Sequence, residues 1–195
     1  MINTHSQLSP RIEGSQNAIT TDNVKLALFD RFQQTDQMNP LEQLAIIDQI
    51  LSNSTIPRGV YSRRFALAEI LTTIITKELI KHRQVMEIEP RLPETSISEA
   101  FTAIFLDGKT GNSELMGWSW IYYRCVRIDL NIQQKRFCEI VCLDDRTIRR
   151  YQDKTIRRIV DILLDKEWKA RERQFVMKSN KNHLRLKYLR RFKNA

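Results

Sequence analysis

Residues 132–159 read IQQKRFCEIVCLDDRTIRRYQDKTIRRI. An amphipathic stretch is followed by a short break and then by a longer stretch rich in arginine. At about 100° per residue, Ile148, Tyr151, Thr155, Ile159 and Ile162 fall on one side of the second stretch. Arg146, Arg149, Arg150, Lys154 and Arg157 fall on the other. The first side suits a core and the second carries five cations. Two uses fit that division: a helix docked on a polyanion, or a solvated basic face on an ordinary bundle helix. Asp144 or Asp145 is placed to cap the second helix, where an anion also complements the helix dipole. Asn131 and Gln134 are spaced as a capping box for the first.

The unit resembles the helix-turn-helix superfamily. On the usual template Gln134 opens it, Cys138 takes the small buried position and Cys142 the turn position. Leu143 and Ile148 fall on the apolar anchors and Tyr151 on the last one. The resemblance implies a second helix that enters the DNA major groove. Arg146, Thr147, Arg149 and Arg150 would then face bases or phosphates, and Lys154 and Arg157 phosphates. One residue departs from the template. The turn position favours glycine because its backbone is often left-handed, and Cys142 stands there. A non-glycine residue in that conformation costs roughly 1 kcal/mol, which leaves open a turn of another type or a looser likeness.

Residues 114–173 also resemble the N-terminal modules of bacterial multidomain signalling ATPases. The likeness rests on an aromatic stretch with Tyr122, Tyr123 and Arg124, then Arg146-Thr147-Ile148-Arg149-Arg150, then Glu167-Trp168 with Ala170-Arg171. It implies a stand-alone or shortened relative, since no ATPase motif is present, and it adds a role as a protein adaptor.

Charge is unevenly spread. Residues 1–120 carry a net −3, residues 121–168 a net +3 and residues 169–195 a net +9. A basic tail beside an arginine-rich helix points to phosphate contact, which adds affinity without sequence information. Lys187, Arg190 and Arg191 are the tail residues assigned to it. Leu186, Leu189 and Phe192 are at helical spacing among those cations, a pattern that also suits an acidic partner or, least well, a membrane surface.

The chain has 195 residues, of which 42% are apolar, enough for a core. Five glycines and five prolines are too few for the turns of an all-β protein. Three cysteines, an odd number, point to a reducing compartment and hence the cytoplasm. Residues 1–20 are polar, so no secretory leader is expected. No run of about 18 apolar residues occurs, so no membrane span is expected.

The expected architecture is all-α: a multi-helix bundle with a C-terminal helix-turn-helix unit and a basic tail. Residues 1–20 form a disordered arm, 21–90 an N-terminal helical region, and 96–173 a helical region holding the unit at 131–160. Residues 174–195 form the tail. Asp22 caps a helix through about Gln34. Asn39-Pro40 starts another, with a cap and then proline in the first turn. Ser62 caps the longest helix, to about Met86, with Phe65 among its apolar residues. The segment EIEPRLPET reads as a linker and DGKTGNS as a loop, with a short helix at Ser98–Phe105 between them. In the aromatic helix from residue 114, Trp118, Trp120, Tyr122 and Tyr123 divide between core and surface.

Other chemistry finds little support. Gly108-Lys109-Thr110 matches the end of a phosphate-binding loop, but the glycine needed five residues before Gly108 is Ala103. Cys125, Cys138 and Cys142 lack the paired spacing of a zinc site and read as free thiols, Cys138 buried against the second helix. His5, His82 and His183 have no nucleophile partner, and Glu87 and Glu89 read as solvated. The sequence therefore reads as a non-enzymatic cytoplasmic protein without cofactor or metal. Its expected partner is double-stranded DNA, with a protein partner or a second copy as further options. The expected role is bacterial transcriptional or signalling regulation; the alternative is a protein–protein adaptor.

Overall fold

The computed structural model describes residues 18–29, 38–53, 59, 61–89 and 93–193, and for 178–193 the backbone alone. Most of the expected arm therefore lies outside the described residues, as does the stretch from Asp30 to Gln34. The described residues are helical and contain no strand. In chain order the α-helices are α1 (Thr21–Phe29), α2 (Ala45–Asn53), α3 (Ser62–Val85), α4 (Ile97–Lys109), α5 (Ser113–Ile121), α6 (Gln134–Val141) and α7 (Asp145–Lys193). A 3-10 turn (Pro40–Gln43) precedes α2, and a π-turn (Tyr122–Val126) prolongs α5.

Local chemistry explains where these helices start. Asn39 accepts from the Leu41 amide at 2.9 Å, and Glu42 reaches back to the Asn39 amide at 3.3 Å. That reciprocal cap starts a 3-10 turn rather than a long helix, because Leu44 is extended and breaks the run. The first turn of α2 is capped from far along the chain. Glu167, buried on α7, accepts from the amides of Ala45 and Ile46, each at 3.1 Å. Thr20, not Asp22, receives a first-turn amide in α1, that of Asn23. Ser62 does not cap α3: its hydroxyl donates back to the Gly59 carbonyl at 2.8 Å. Phe65 is exposed rather than packed.

Forty-nine residues make α7 the longest helix, roughly 70 Å from end to end. It takes the place expected of α3, which has 24 residues. The first half of α7 lies against α1, α2, α3, α5 and α6, while α4 packs on α6 and α5. Val24, Ile47, Ile75, Ile104, Trp120, Phe137 and Ile156 belong to one apolar core. The two helical regions expected at 21–90 and 96–173 thus share that core.

The loop expected at Asp107–Ser113 is mostly helix. Asp107, Gly108 and Lys109 close α4, and Asn112 caps α5 through the amides of Glu114 and Leu115. The aromatic cluster is core throughout: Trp118, Trp120, Tyr122 and Tyr123 are all buried. The π-turn adds a residue to the helical repeat, and both tyrosines face inward there.

Candidate nucleic-acid interface

The joint between α6 and α7 is built on Cys142. Its backbone is left-handed, at φ 54° and ψ 40°. The Leu143 amide donates to the Cys138 carbonyl at 3.1 Å, closing α6. The turn therefore has the left-handed geometry that glycine favours, held by a cysteine. Cys142→Gly is expected to stabilise the fold by roughly 1 kcal/mol or slightly less. It relieves the left-handed strain, offset in part by glycine's greater freedom when unfolded. Denaturant unfolding measures this; a loss of stability would mean that the thiol's contacts outweigh the strain.

Asp144 then starts α7. Its carboxylate accepts from the Thr147 amide at 2.7 Å and from the Thr147 hydroxyl at 2.8 Å. The Thr147 amide, with its hydroxyl, holds the Asp144 carboxyl below the usual range. Thr147 is half-buried and its hydroxyl is committed to the cap, so its place in the site is to fix the helix start. Gln133 is the residue before α6 and makes no side-chain cap, so Asn131 and Gln134 do not form the expected box. Gln134 donates instead to Asp145 across the turn.

The two sides of α7 separate as the periodicity requires. Ile148, Thr155 and Ile159 are buried and Tyr151 and Ile162 half-buried. Arg146, Arg149, Arg150, Lys154 and Arg157 are exposed and line one cleft of about 810 Å³ with Asp144, Thr147 and Asp153. Five cations stand against Asp144 and Asp153 in the lining and Asp145 and Glu114 beside it, which leaves a small positive excess. Two of the cations are positioned by acids. Arg149 pairs with Asp145 at 2.6 Å, and Lys154 with Glu114 of α5 at 3.0 Å. Lys154 holds the Glu114 carboxyl below its ordinary value. Arg150 lies over the Tyr151 ring at 5.6 Å.

Close helix contacts fix this cleft on the body. A Cβ on Gly117 of α5 would stand 2.1 Å from Thr155 Oγ1 and 2.9 Å from the Tyr151 carbonyl oxygen, so only glycine lets α5 and α7 approach this closely. Trp120 touches both helices of the joint. Its ring meets Phe137 of α6 at 5.1 Å between centroids, and its Nε1 donates to Gln152 of α7 at 2.8 Å. A Cβ on Gly108 would meet Val141 at 3.1 Å, which sets the α4–α6 contact.

Behind α4 lies a buried ionic network with no counterpart in the sequence reading. Arg83 donates to both carboxylate oxygens of Asp107, at 2.9 and 2.8 Å, and to Tyr123 Oη at 3.2 Å. Ser119 donates to Asp107 at 2.7 Å. Glu94, read as part of a linker, is buried and accepts from Tyr123, Tyr122 and Arg127. Burial pulls the Arg83 guanidinium toward its neutral form. Asp107 and Tyr123 more than offset this, so its pKa stands above the ordinary value. Burial, then Glu94, pushes the Tyr122 hydroxyl up to about 12. The network ties the end of α3 to α4 and the π-turn.

The cysteines are dispersed. Cys125 is buried in the π-turn, Cys142 is exposed, and Cys138 is half-buried rather than sealed against α7. Burial, then Asp145 and Asp144, raises the Cys138 thiol. No group of three or more metal-ligating side chains occurs among the described residues. No described helix is long and apolar enough to cross a membrane.

Lys187, Arg190 and Arg191 are not brought to the cleft. Their side chains lie outside the described residues, but their backbone belongs to α7. At a rise of 1.5 Å per residue, Arg190 is about 60 Å along the axis from Arg150. Searches of family models, curated proteins and solved structures find no match to this chain.

Proposed function

We infer that this chain binds double-stranded DNA through the joint of α6 and α7, used as a helix-turn-helix with the first turns of α7 in the major groove. The observation that carries this reading is the cleft at Arg146, Arg149, Arg150, Lys154 and Arg157, set on the face of α7 opposite buried Ile148 and Ile159. The left-handed turn at Cys142 and the Asp144 cap hold the helix start in a fixed geometry. Fixed geometry is what direct readout needs, because a bidentate arginine must meet a base edge at a set distance. Arg146, Arg149 and Arg150, nearest the helix start, are assigned to base edges or phosphates, and Lys154 and Arg157 to phosphates. We propose transcriptional or signalling regulation as the role such binding would serve.

Affinity for a duplex should fall steeply with salt, because each neutralised phosphate releases counterions. Two to five phosphate contacts at this cleft, according to how many of Arg146, Arg149 and Arg150 take base edges, correspond to a slope of log affinity against log salt of about −2 to −4.5. Fluorescence anisotropy with a labelled duplex across a salt series measures it. A slope near zero, or no binding at low salt, would leave the cleft as a solvated face.

A further inference from the structure

The ion pairs at the cleft differ in what they do to its cations. Asp145 lies one turn before Arg149 on the same exposed face of α7, and it also accepts from Gln134. Lys25 of α1 meets Asp153 at 2.8 Å and so neutralises one of the cleft's own acids. Glu114 acts in the opposite sense. It comes from α5, a different helix, and takes the ammonium of a cleft cation, Lys154.

Lys154 stands between two spaces. It lines the cleft, and it also lines a cavity of about 310 Å³ where α3, α5 and α7 meet. Glu114 lines that cavity and not the cleft, so the pair holds Lys154 at the boundary between them. The close contact at Gly117 keeps α5 on α7 and so presents Glu114 to Lys154.

The pair is built to open. The side chains of Lys154 and Glu114 are 55% and 39% exposed, and an ion pair that meets solvent on both sides is weak. A phosphate arriving in the cleft offers the same ammonium another anion. Glu114 is not stranded when Lys154 leaves, because His82 of α3 and Arg158 of α7 line the same cavity. Lys154 holds the Glu114 carboxyl below its ordinary value, and His82 and Arg158 act on it in the same direction more weakly. Arg158 has only a loose partner of its own, Asp161 at 3.8 Å.

We propose that Glu114 competes with DNA phosphate for Lys154: the ammonium exchanges one anion for the other when a duplex binds, and Glu114 thereby sets the affinity below what the cleft cations alone would give. The exchange rests on the reading of Arg146–Arg157 as a duplex site. The test is a double-mutant cycle on the full chain, read by anisotropy of a labelled duplex at low salt, with melting temperatures measured in parallel. Glu114→Gln should bind the duplex about two- to fivefold tighter, the effect of removing one exposed ion pair from the free protein, with its melting temperature nearly unchanged. Lys154→Ala should bind more weakly than the wild-type chain. In the Lys154→Ala background, Glu114→Gln should gain much less, because only its distant repulsion of the duplex is left to remove. No gain for Glu114→Gln, or an equal gain with and without Lys154, overturns the exchange and leaves the cleft as a duplex site. Unchanged binding by Lys154→Ala overturns it too, since Lys154 would then reach no phosphate. No duplex binding by the wild-type chain overturns both readings.

Discussion

Asp107→Ala should destabilise the fold by about 3–5 kcal/mol, because it takes from a buried guanidinium the carboxylate that it hydrogen-bonds. Arg83 is 1% exposed and Asp107 is fully buried. Arg83 places two parallel hydrogen bonds on that carboxylate, and Ser119 a third. Glu94 is also near Arg83, at 3.6 Å, but it accepts from Tyr122, Tyr123 and Arg127 and is not free to replace Asp107. Replacing both partners at once, Arg83→Met with Asp107→Leu, should restore much of the loss, since a well-packed apolar pair removes both charges from the core. Denaturant unfolding of the single and double variants measures this. A loss under about 1 kcal/mol for Asp107→Ala would mean that the guanidinium reaches solvent.

Phe137→Ala should cost a similar amount, about 3–5 kcal/mol. Phe137 is fully buried and its ring packs at a tilt on Trp120. Removing it takes away the one aromatic ring that α6 places in the core and opens a cavity beside Trp120. Partial collapse is restricted, because α6 already lies so close to α4 that a Cβ on Gly108 would meet Val141 at 3.1 Å. Thermal or denaturant melts give the value, and near-wild-type stability would show that α6 is not seated as described.

The face of α7 was legible because charge and apolarity alternate there with a helical period over several turns. Ile148, Thr155 and Ile159 repeat at the spacing of a buried stripe, and the arginines occupy the remaining positions. The Asp144 cap was legible for the same local reason, since cap chemistry acts within a few residues of chain. The buried network depends on contacts distant in sequence, and turn-forming residues around it masked it. Asp107 lies in DGKTGNS and Glu94 beside prolines, so both read as loop. A signal was present: Asp107 continues the stripe of Ala100 and Ile104 on α4, and Arg83 that of Ile75 and Leu79 on α3. A charge in register with a buried stripe on two helices marks a buried pair. The length of α7 was underestimated because the basic composition of residues 174–195 read as a tail, although lysine and arginine are good helix formers. Gly117 gave no sign of its role, because a glycine inside an aromatic helix reveals a close approach only once the neighbouring helix is placed.

Duplex affinity and thermal stability of Arg149→Ala with Arg150→Ala, measured on the same preparation, bear most directly on the assignment of the cleft. Both arginines are exposed, and their only described contacts are local ones on α7, to Asp145 and Tyr151. The double variant should keep its melting temperature and lose roughly 1–3 kcal/mol of binding free energy for each base contact removed. A folded double variant that binds duplex as tightly as the wild-type chain would contradict the assignment.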